Sequence, residues 1–505
     1  MKKLLILVIG MFSTPILNAQ DISDALRYSN GDVQGTARFR AMSGAFGALG
    51  GDLSAVSINP AGSAIFNNSY ASISISNYNN DTKTNYFGTL NSNSNSSFDL
   101  NQAGAVFVFN NTDTQSPWGR FTLGLTYEKT QNFEDDFFAS GTNTRSIDSY
   151  FLSYAQGLRL DEISALDGES ISDAYGDIGA VFGHANQQAF LGYESYILEP
   201  DADDDANTTY TSNIAPGTFN QKYSYAALGY NGKFGVNGAI QYDDDIYLGL
   251  NLNSHFINYE RSTYLSESNS NLGSLVNEVG FENNLSTIGS GFSFQLGTIA
   301  KINETLRVGF TFDSPIWYTI SEETTQYLST VRDDAGTEVT TTLNPQVVNV
   351  FQDYKLQTPA KITGSAALVL NKKAIISFDY SRKDYSKTKF KPETDSHFTQ
   401  QNLIISNSLK AANTYKIGGE LRHKELSFRG GYKFEESPYE DTSFYGDLKG
   451  YSLGLGYNFG GTTLDLAYEN SERTMNHQLY NIGLTDSAKL NTDNSLVTLT
   501  LSMKL

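Results

Sequence analysis

The sequence predicts an all-β fold: a transmembrane antiparallel β-barrel of about fourteen strands with an N-terminal plug inside its lumen. Tyr and Phe number 31 each, Gly 44 and Pro only 10 in 505 residues. After residue 19, no apolar run reaches the ~20 residues that a membrane helix needs. From residue 69 to the end, apolar and polar residues alternate with period two in one segment after another. This pattern is typical of outer-membrane strands, in which lipid-facing and lumen-facing side chains alternate.

The first 19 residues have the pattern of a secretory signal peptide. Lys2 and Lys3 precede an apolar stretch from Leu4 to Leu17, and Ala19 supplies the small residue before a cleavage site. The sequence contains no cysteine, which excludes a disulfide framework, a thiolate metal site and a lipid-anchored lipoprotein. The chain has 35 basic and 55 acidic residues and a formal net charge of −20, so no nucleic acid partner is expected.

The last predicted strand shows the alternation most clearly. Val497, Leu499 and Leu501 would face lipid, whereas Thr498 and Thr500 would face the lumen. Segments of this kind alternate between short and long connections, which predicts turns on the periplasmic side and loops outside. The predicted strands are Ser69–Tyr78, Leu100–Phe109, Arg120–Thr130, Lys222–Gln241, Ile246–Tyr264, Leu285–Ile302, Leu306–Tyr318, Lys355–Leu370, Ala374–Tyr385, Leu409–Arg422, Leu426–Phe434, Lys449–Phe459, Thr463–Asn470 and Ser495–Leu505.

Two predicted outer loops have special composition. In residues 131–221, apolar residues at helical spacing predict short helices over Ser149–Ile163 and Ile171–Gln187, lying across the outer mouth. Such a loop can be a functional lid or an ordinary folded surface loop, and the spacing does not separate the two. The low-complexity stretch Asn91–Ser97 predicts a flexible loop.

We expect a plug at residues 20–68 and a barrel at residues 69–505.

The stretch Met42–Gly62 has no strand-like alternation and is rich in glycine. Glycines at positions 44, 47, 50, 51 and 62 permit close packing and left-handed backbone angles. Pro60 disfavours helical geometry at Asn59, so a short helix over Asp52–Ile58 should end there. So many glycines suit a backbone confined inside a barrel lumen, although an ordinary N-terminal cap on a domain would also explain them.

The motif in this stretch resembles that of the FadL/TodX family of outer-membrane channels for long-chain fatty acids and hydrocarbons. The resemblance rests on Gly44-Ala45, Asp52-x-Ser54 and Asn59-Pro60-Ala61, followed by about fourteen strands. Gly35–Asp52 resembles the branch common in Bacteroidota, often labelled hemin receptors. The resemblance implies a hatch inside the barrel, with a hatch motif formed by Gly44, Asp52, Ser54, Asn59, Pro60, Ala61 and Gly62.

The resemblance also implies a route and a location. In the family, a hydrophobic ligand binds near the outer mouth, then in an apolar internal pocket, and leaves sideways through a gap made by a kinked strand. The expected partners are this small molecule, the lipid of a Gram-negative outer membrane and the barrel-assembly machinery. Two features depart from the family: the outer loops are rich in Asn, Ser and Asp, and the chain ends in Leu505 where many barrels end in an aromatic residue.

Charged residues of both signs are predicted to face the lumen. The ordinary explanation is a network of ion pairs that braces a plugged barrel. Alternatively, a lumen cation could pair with the carboxylate of a ligand, because charge-assisted hydrogen bonds to carboxylates are strong. The candidate head-group contacts are Arg307, Lys416, Arg422 and Arg429.

The histidines predict no metal, heme cofactor or catalytic site. The chain has five histidines, and no two share a face at ligand spacing. His255 would face the lumen, but Ser254 would lie on the opposite strand face, so the pair cannot form a catalytic dyad. We therefore expect a transport channel and not an enzyme. The alternatives are a non-transporting surface barrel for adhesion or partner docking and, less favoured, a hemin binder. A continuous apolar pocket beside the hatch would favour transport.

Overall fold

The protein forms a closed antiparallel barrel preceded by a helical N-terminal segment. The structure, a computed structural model, describes residues 21–31, 33–113, 115–371 and 373–505. The signal peptide predicted at residues 1–19 lies outside the described residues. The first strand, Tyr70–Tyr86, pairs along most of its length with the last, Ser487–Lys504, so the wall closes on itself. Closure leaves no unpaired sheet edge in the membrane, which satisfies the backbone hydrogen bonds there. The predicted fold class is confirmed.

The described residues contain fourteen wall strands, two of them interrupted, and six α-helices. Strands and helices are numbered in chain order. The wall strands are β1 Tyr70–Tyr86, β2 Thr89–Asn110, β3 Trp118–Asn132, β7 Phe219–Tyr242, β8 Ile246–Ser268, β9 Val276–Lys301, β10 Leu306–Asp313 with β11 Trp317–Asp334, β14 Tyr354–Gln357 with β15 Lys361–Leu370, β16 Ala374–Asp384, β18 Ala411–His423, β19 Leu426–Glu435, β20 Leu448–Asn458, β21 Thr462–Gln478 and β22 Ser487–Lys504. Outer-loop strands are β4 Asp135–Asn143, β5 Leu198–Pro200, β6 Tyr210–Ser212, β12 Thr337–Leu343, β13 Asn349–Val350 and β17 Lys389–Lys391. The helices are α1 Ile22–Ser29, α2 Ala37–Arg40, α3 Asp148–Ala155, α4 Ile171–Phe182, α5 His184–Glu194 and α6 Ser396–Ser408.

Two predicted strands are interrupted in the structure. The segments predicted as Leu306–Tyr318 and Lys355–Leu370 each divide at a proline, Pro315 and Pro359, because proline has no N–H for the ladder. Hydrogen bonds carry the wall across the break: Ser314 N donates to the Phe294 carbonyl over 3.0 Å.

The wall has the two faces that the alternation predicts. Leu499 and Leu501 are 38% and 40% exposed on the outside, whereas Thr498 and Thr500 are buried in the lumen. The connections at one end of the barrel are short, as between β7 and β8 or β18 and β19, while those at the other end are long. No helix in the described ranges is long and apolar enough to cross a membrane.

The loop predicted at residues 131–221 folds into an outer cap, residues 144–218, whose helices differ from the prediction. Helix α3 is shorter than Ser149–Ile163, and the second predicted helix divides into α4 and α5 at Gly183, which has φ +94°. The cap core packs Phe151, Phe190 and Phe281 into one apolar cluster. The stretch Asn91–Ser97 is also not a flexible loop, because it pairs with β1 along its whole length.

Candidate functional site

The N-terminal segment, of which residues 21–31 and 33–68 are described, lies inside the barrel. Almost every described residue between positions 33 and 64 is buried. Pro60 approaches Gly249 on β8, and Met42 approaches Gly431 on β19, so the segment reaches well-separated parts of the wall. It therefore spans the lumen.

Glycines on the inner face of the wall allow this close approach. A Cβ added to Gly249 would lie 2.3 Å from the Pro60 carbonyl carbon, and one added to Gly309 would lie 2.3 Å from the Gly47 oxygen. Both distances are far below van der Waals contact. Sequence reasoning missed these wall glycines, although glycine at a lumen-facing strand position is a recognisable signal of close backbone approach.

Asn59 joins two turns of the segment to the wall. Its Nδ2 donates to the carbonyls of Gly47 at 2.7 Å and Thr298 at 2.9 Å. Its Oδ1 accepts from Ala61 N at 3.2 Å. The backbone of Asn59 is extended, with φ −141° and ψ 110°, as Pro60 predicts. The short helix predicted over Asp52–Ile58 is a 3₁₀ helix, Ser54–Ser57, that ends before Asn59, and a second 3₁₀ helix, Pro60–Ile65, begins at the proline.

Asp52 and Ser54 fix the start of helix α2. The Asp52 carboxylate accepts from Thr36 Oγ1 at 2.8 Å and from Ser54 N at 2.9 Å. Ser54 Oγ accepts from Thr36 N at 2.8 Å. Burial raises the pKa of Asp52, and the nearby Arg38 guanidinium opposes that rise.

The two motif glycines serve close packing. Gly44 has φ +76°, and a Cβ there would lie 2.9 Å from the Phe39 ring. A Cβ at Gly62 would lie 3.1 Å from the Gly50 Cα. The motif residues therefore all lie within the compact part of the N-terminal segment, where larger side chains would collide with it.

Ion pairs anchor the segment to one side of the wall, strands β16–β22, which we call the ionic side. Arg38 pairs with Glu420 at 2.8 Å, and Arg40 pairs with Glu469 at 2.9 Å. Asp379 accepts from the backbone N–H groups of Phe46 and Gly47 at 3.0 Å each. Arg38 and Arg40 were not among the residues predicted to take part.

The four candidate head-group cations occupy different environments. Arg429 lies between two carboxylates, Glu420 at 2.7 Å and Asp465 at 2.6 Å. Arg422 pairs with the same Glu420 at 2.6 Å. Arg307 donates to the Leu49 carbonyl at 3.1 Å. Lys416 lines the lumen cavity described below.

Mostly neutral side chains hold the segment on the opposite side, strands β2, β3 and β7–β9, which we call the amide side. Asn237 donates to the Pro60 carbonyl at 3.0 Å, Asn251 to the Val56 carbonyl at 2.8 Å and Gln295 to the Ser57 carbonyl at 2.9 Å. Wall amides thus bond to the backbone of the segment here, and Arg120 on β3 adds a charged donor to the Ala64 carbonyl at 2.9 Å.

Helix α1 lies nearer the outer mouth than the rest of the segment. Val56 bonds to Asn251, near the periplasmic start of β8, whereas Tyr28 packs edge-on against Tyr259, further along the same strand. Asp21 caps the helix and Asp24 completes a capping box. Burial raises the pKa of Asp24, against the opposing charge of Arg27. At its other end, Lys383 donates to the Ser29 carbonyl.

A cavity of about 170 Å³ lies between helix α1 and the turn at residues 57 and 58. Tyr28–Gly31 and Ile58 line it on these two sides, so the N-terminal segment bounds the cavity twice. Most of the remaining lining is polar, which differs from the apolar pocket that the family resemblance implies. Its polar side chains include Asn231, Lys233, Asn253, His255, Ser293, Gln295, Asp313, Lys361, Ser381, Lys383, Lys416 and Glu435.

A seam opens the wall between β2 and the strands that follow it. The β2–β3 ladder runs from Asn110–Arg120 only to Gln102–Glu128, although β2 continues outward to Thr89. Beyond that point Lys129 forms an ion pair with Asp99. We call the facing stretches, residues 89–101 and 129–143, the seam.

Side chains and the N-terminal segment close the seam. The Lys129 carbonyl accepts from Gln34 N at 3.0 Å. Further out, Asn91 donates to Ser140 at 3.2 Å. Phe98 and Leu100 are 68% and 36% exposed on the outside of β2 at the inner end of the seam, so this end faces lipid.

Three of the five histidines lie in three different regions of the molecule. His255 lines the cavity, His184 belongs to α5 in the cap, and His477 packs against Phe137 at the outer end of the wall. Across the described ranges, no group of three or more His, Cys, Asp or Glu side chains could hold a metal ion.

Comparisons with known proteins point to one family. The sequence profile described as "Outer membrane protein transport protein (OMPP1/FadL/TodX)" matches residues 201–503, more than half of the chain. No curated protein matches the chain.

Two solved structures share the fold. A FadL homologue of Pseudomonas aeruginosa superposes with a TM-score of 0.55 at 12% identity, covering 94% of this chain and 98% of that one. The toluene transporter TodX of P. putida superposes with a TM-score of 0.51 at 12% identity, covering 92% of this chain and 97% of that one.

Proposed function

The chain belongs to the OMPP1/FadL/TodX family of outer membrane transport proteins, and from this premise we propose that it takes up small hydrophobic or amphiphilic molecules and releases them sideways. It is an outer-membrane channel of a Gram-negative bacterium and not an enzyme. In the proposal, the N-terminal segment is the hatch, the cavity is the internal binding site, and the seam is the exit. The observation that carries the proposal is the lumen cavity, which the N-terminal segment lines on two sides, with residues 28–31 and with residues 57 and 58.

The strength of the hatch contacts favours sideways release over ejection of the hatch. Leaving through the periplasmic end would require the ion pairs of Arg38 and Arg40 to break. Removing one partner of a buried ion pair costs roughly 3–5 kcal/mol. Parting the seam breaks one ion pair, between Lys129 and Asp99, and a few side-chain hydrogen bonds. The neutral bonds contribute about 0.5–1.5 kcal/mol each, and the bond from Asn93 to the Asp136 carboxylate about 1.5–3 kcal/mol.

The seam is also the place where a modest movement of the hatch would open the wall. Gln34 N bonds to the Lys129 carbonyl, a group that the β2–β3 ladder does not use. A shift of residues 33–35 would remove this bond and uncover the lipid-facing end of the seam. The rest of the hatch could then stay on the ionic side.

A cross-linking experiment tests the exit. The chain has no cysteine, so the double variant Asp99→Cys with Lys129→Cys can be bridged by a short bis-maleimide without side reactions. The control is Asn470→Cys with Ser495→Cys, a pair already joined within the β21–β22 ladder. Uptake of labelled oleate, toluene and the single-ring acid 4-hydroxybenzoate into proteoliposomes is measured before and after bridging.

We expect bridging of the seam to reduce uptake at least tenfold and bridging of the control to leave it unchanged. Undiminished uptake through the bridged seam would refute sideways release at this place. If the unbridged protein admits none of these compounds faster than empty vesicles, uptake of small hydrophobic or amphiphilic molecules is refuted, and the surface-barrel alternative is favoured.

A further inference from the structure

The size, charge and unpaired polar atoms of the lumen cavity define a ligand more narrowly than the family does. We propose that the cavity binds a compact organic acid about the size of one aromatic ring, with its carboxylate at Lys233 and Lys383 and a hydrogen-bonding substituent at Asn253 and His255. The assignment rests on the proposed function, because it names the compounds that the channel carries.

The volume sets the size of the ligand. A cavity of roughly 150 Å³ is enough to bind a benzene molecule. Pockets for drug-sized ligands occupy about 300–1,000 Å³. The cavity here measures about 170 Å³. It therefore admits a single ring with small substituents and excludes the chain of a long fatty acid in the conformation described.

The charges set the sign of the ligand. Four lysines but only two carboxylates, Asp313 and Glu435, line the cavity. Both carboxylates already have cations: Asp313 pairs with Lys361 at 2.9 Å and Glu435 with Arg473 at 2.8 Å. An added anion is thus favoured over an added cation.

Lys233 and Lys383 are the cations best suited to a carboxylate. The ion pair from Lys233 Nζ to Glu128 spans 3.7 Å, which is longer than a hydrogen bond. Lys383 donates to a neutral acceptor, the Ser29 carbonyl, and not to an acid. A ligand carboxylate would provide a charge-assisted partner, which is about twice as strong as a neutral one.

Buried polar atoms without partners indicate the second part of the ligand. Asn253 and His255 are only 4% and 6% exposed. Their amide Nδ2 and ring Nε2 lie 3.3 Å and 2.8 Å from Ser293 Oγ. Asn253 Oδ1 and His255 Nδ1 have no hydrogen-bond partner among the described residues.

Nearly all buried polar atoms in proteins are hydrogen-bonded. A hydroxyl group on the ligand could donate to Asn253 Oδ1 and also bond to His255 Nδ1. A hydrocarbon such as toluene would leave both atoms unsatisfied, at roughly 1–3 kcal/mol each. The polar lining thus selects against a plain hydrocarbon.

The test measures binding of 4-hydroxybenzoate to the full mature protein in detergent by isothermal titration calorimetry. The neutral isostere 4-hydroxybenzamide reports the contribution of the charge, and toluene reports that of the polar substituents. We expect the acid to bind at least tenfold more tightly than the amide and the amide more tightly than toluene. Equal affinities for acid and amide would overturn the assignment.

Variants then locate the carboxylate. Lys383→Met should weaken acid binding at least tenfold and leave amide binding unchanged, whereas Lys383→Arg should retain most of the acid affinity. Lys233→Met is made together with Glu128→Gln, so that no buried carboxylate is left without its cation. The control is Lys83→Met, on the exposed outer face of β1. Acid binding that survives both lumen variants would overturn the site.

The two proposals fail in different ways. If oleate or toluene enters proteoliposomes but 4-hydroxybenzoate does not bind, only the acid site is wrong. If 4-hydroxybenzoate binds as described but neither it nor the hydrophobic probes cross the membrane, the uptake function is wrong and the site stands. Folding of each variant is checked by heat-dependent migration on gels.

Discussion

The two sides of the lumen hold the same N-terminal segment by different chemistry. On the ionic side, Glu420 and Glu469 bind arginines of the segment. On the amide side, Asn237, Asn251 and Gln295 bind backbone carbonyls, and Arg120 supplies the charged donor to the Ala64 carbonyl. Hydrogen bonds that involve charges contribute about 1.5–3 kcal/mol, against about 0.5–1.5 kcal/mol for neutral ones.

The seam lies on the amide side, which holds the segment mostly through neutral hydrogen bonds and not through buried ion pairs. In the proposed function, the ionic side stays fixed and the amide side yields. A plug fastened equally on all sides would have to leave as a whole. One fastened mainly on the ionic side can part from β2 and β3 and remain attached.

The largest expected effect comes from removing the centre of the ionic side. Glu420→Ala leaves Arg38 and Arg429 buried without their shared carboxylate, which should reduce the free energy of unfolding by about 3–5 kcal/mol. Urea titration followed by the gel shift of folded barrel measures this loss. Glu425→Ala, in the exposed turn after β18, should change it by less than about 0.5 kcal/mol. Equal losses in both variants would mean that the ionic side is no anchor.

A methyl group on the amide side should have the next largest effect. Gly249→Ala forces Pro60 away from β8, and such overpacking typically costs about 1–3 kcal/mol. We also expect higher ion conductance across planar bilayers, because the displaced segment no longer seals the lumen on this side. The matched control is Gly238→Ala on neighbouring β7, where an added Cβ meets no atom within 4 Å. Unchanged conductance in Gly249→Ala would contradict the proposal that the segment can separate from the wall on the amide side.

Asn59→Ala should have a smaller effect. The substitution removes the Nδ2 donor to the Gly47 and Thr298 carbonyls, and a neutral hydrogen bond of this kind contributes about 0.5–1.5 kcal/mol. Hydrogen exchange should become faster in residues 47–62 and stay unchanged in α2, which the ionic side holds. Asn68→Ala is the control because Asn68 is exposed. Faster exchange throughout the segment would show that the two sides are not independent.

The smallest expected change in the free energy of unfolding comes from Arg422→Ala. This variant tests whether burial or charge determines how strongly an ion pair on the ionic side contributes. Arg422 pairs with the same Glu420 as Arg38, but its side chain is 45% exposed. Exposed ion pairs contribute about 0–1 kcal/mol, so Arg422→Ala should barely alter unfolding. A loss as large as that of Glu420→Ala would show that the number of charges, and not their burial, determines the strength of this side.

The sequence predicted the wall far better than the lumen contents. Alternation identifies strands such as β22 because lipid and lumen impose opposite polarities on successive residues. Alternation does not identify a strand that is formed only by backbone pairing. Asn91–Ser97 is polar on both faces, yet its backbone pairs with β1. Helix α6 was missed because its sequence, Ser396–Ser408, has no clear apolar face.

The candidate site could be predicted only in part. Asn59-Pro60 and the lumen charges were visible as motifs and as strand positions. The cavity was not, because it depends on how far α1 folds back up the lumen, and no local pattern reports that distance. Arg38 and Arg40 were missed as ion-pair partners for the same reason: their acids lie some 380 residues or more away in sequence.

The fit between wall glycines and the N-terminal segment also constrains the order of assembly. Ala37 N donates to Thr500 Oγ1, a contact between residues 463 positions apart, on the strand that pairs with β1 to complete the ring. Gly249 and Gly309 leave less clearance than one methyl group between the wall and the segment. The strand that closes the ring, β22, therefore also holds the start of the segment, so closure of the wall and seating of its contents share one strand.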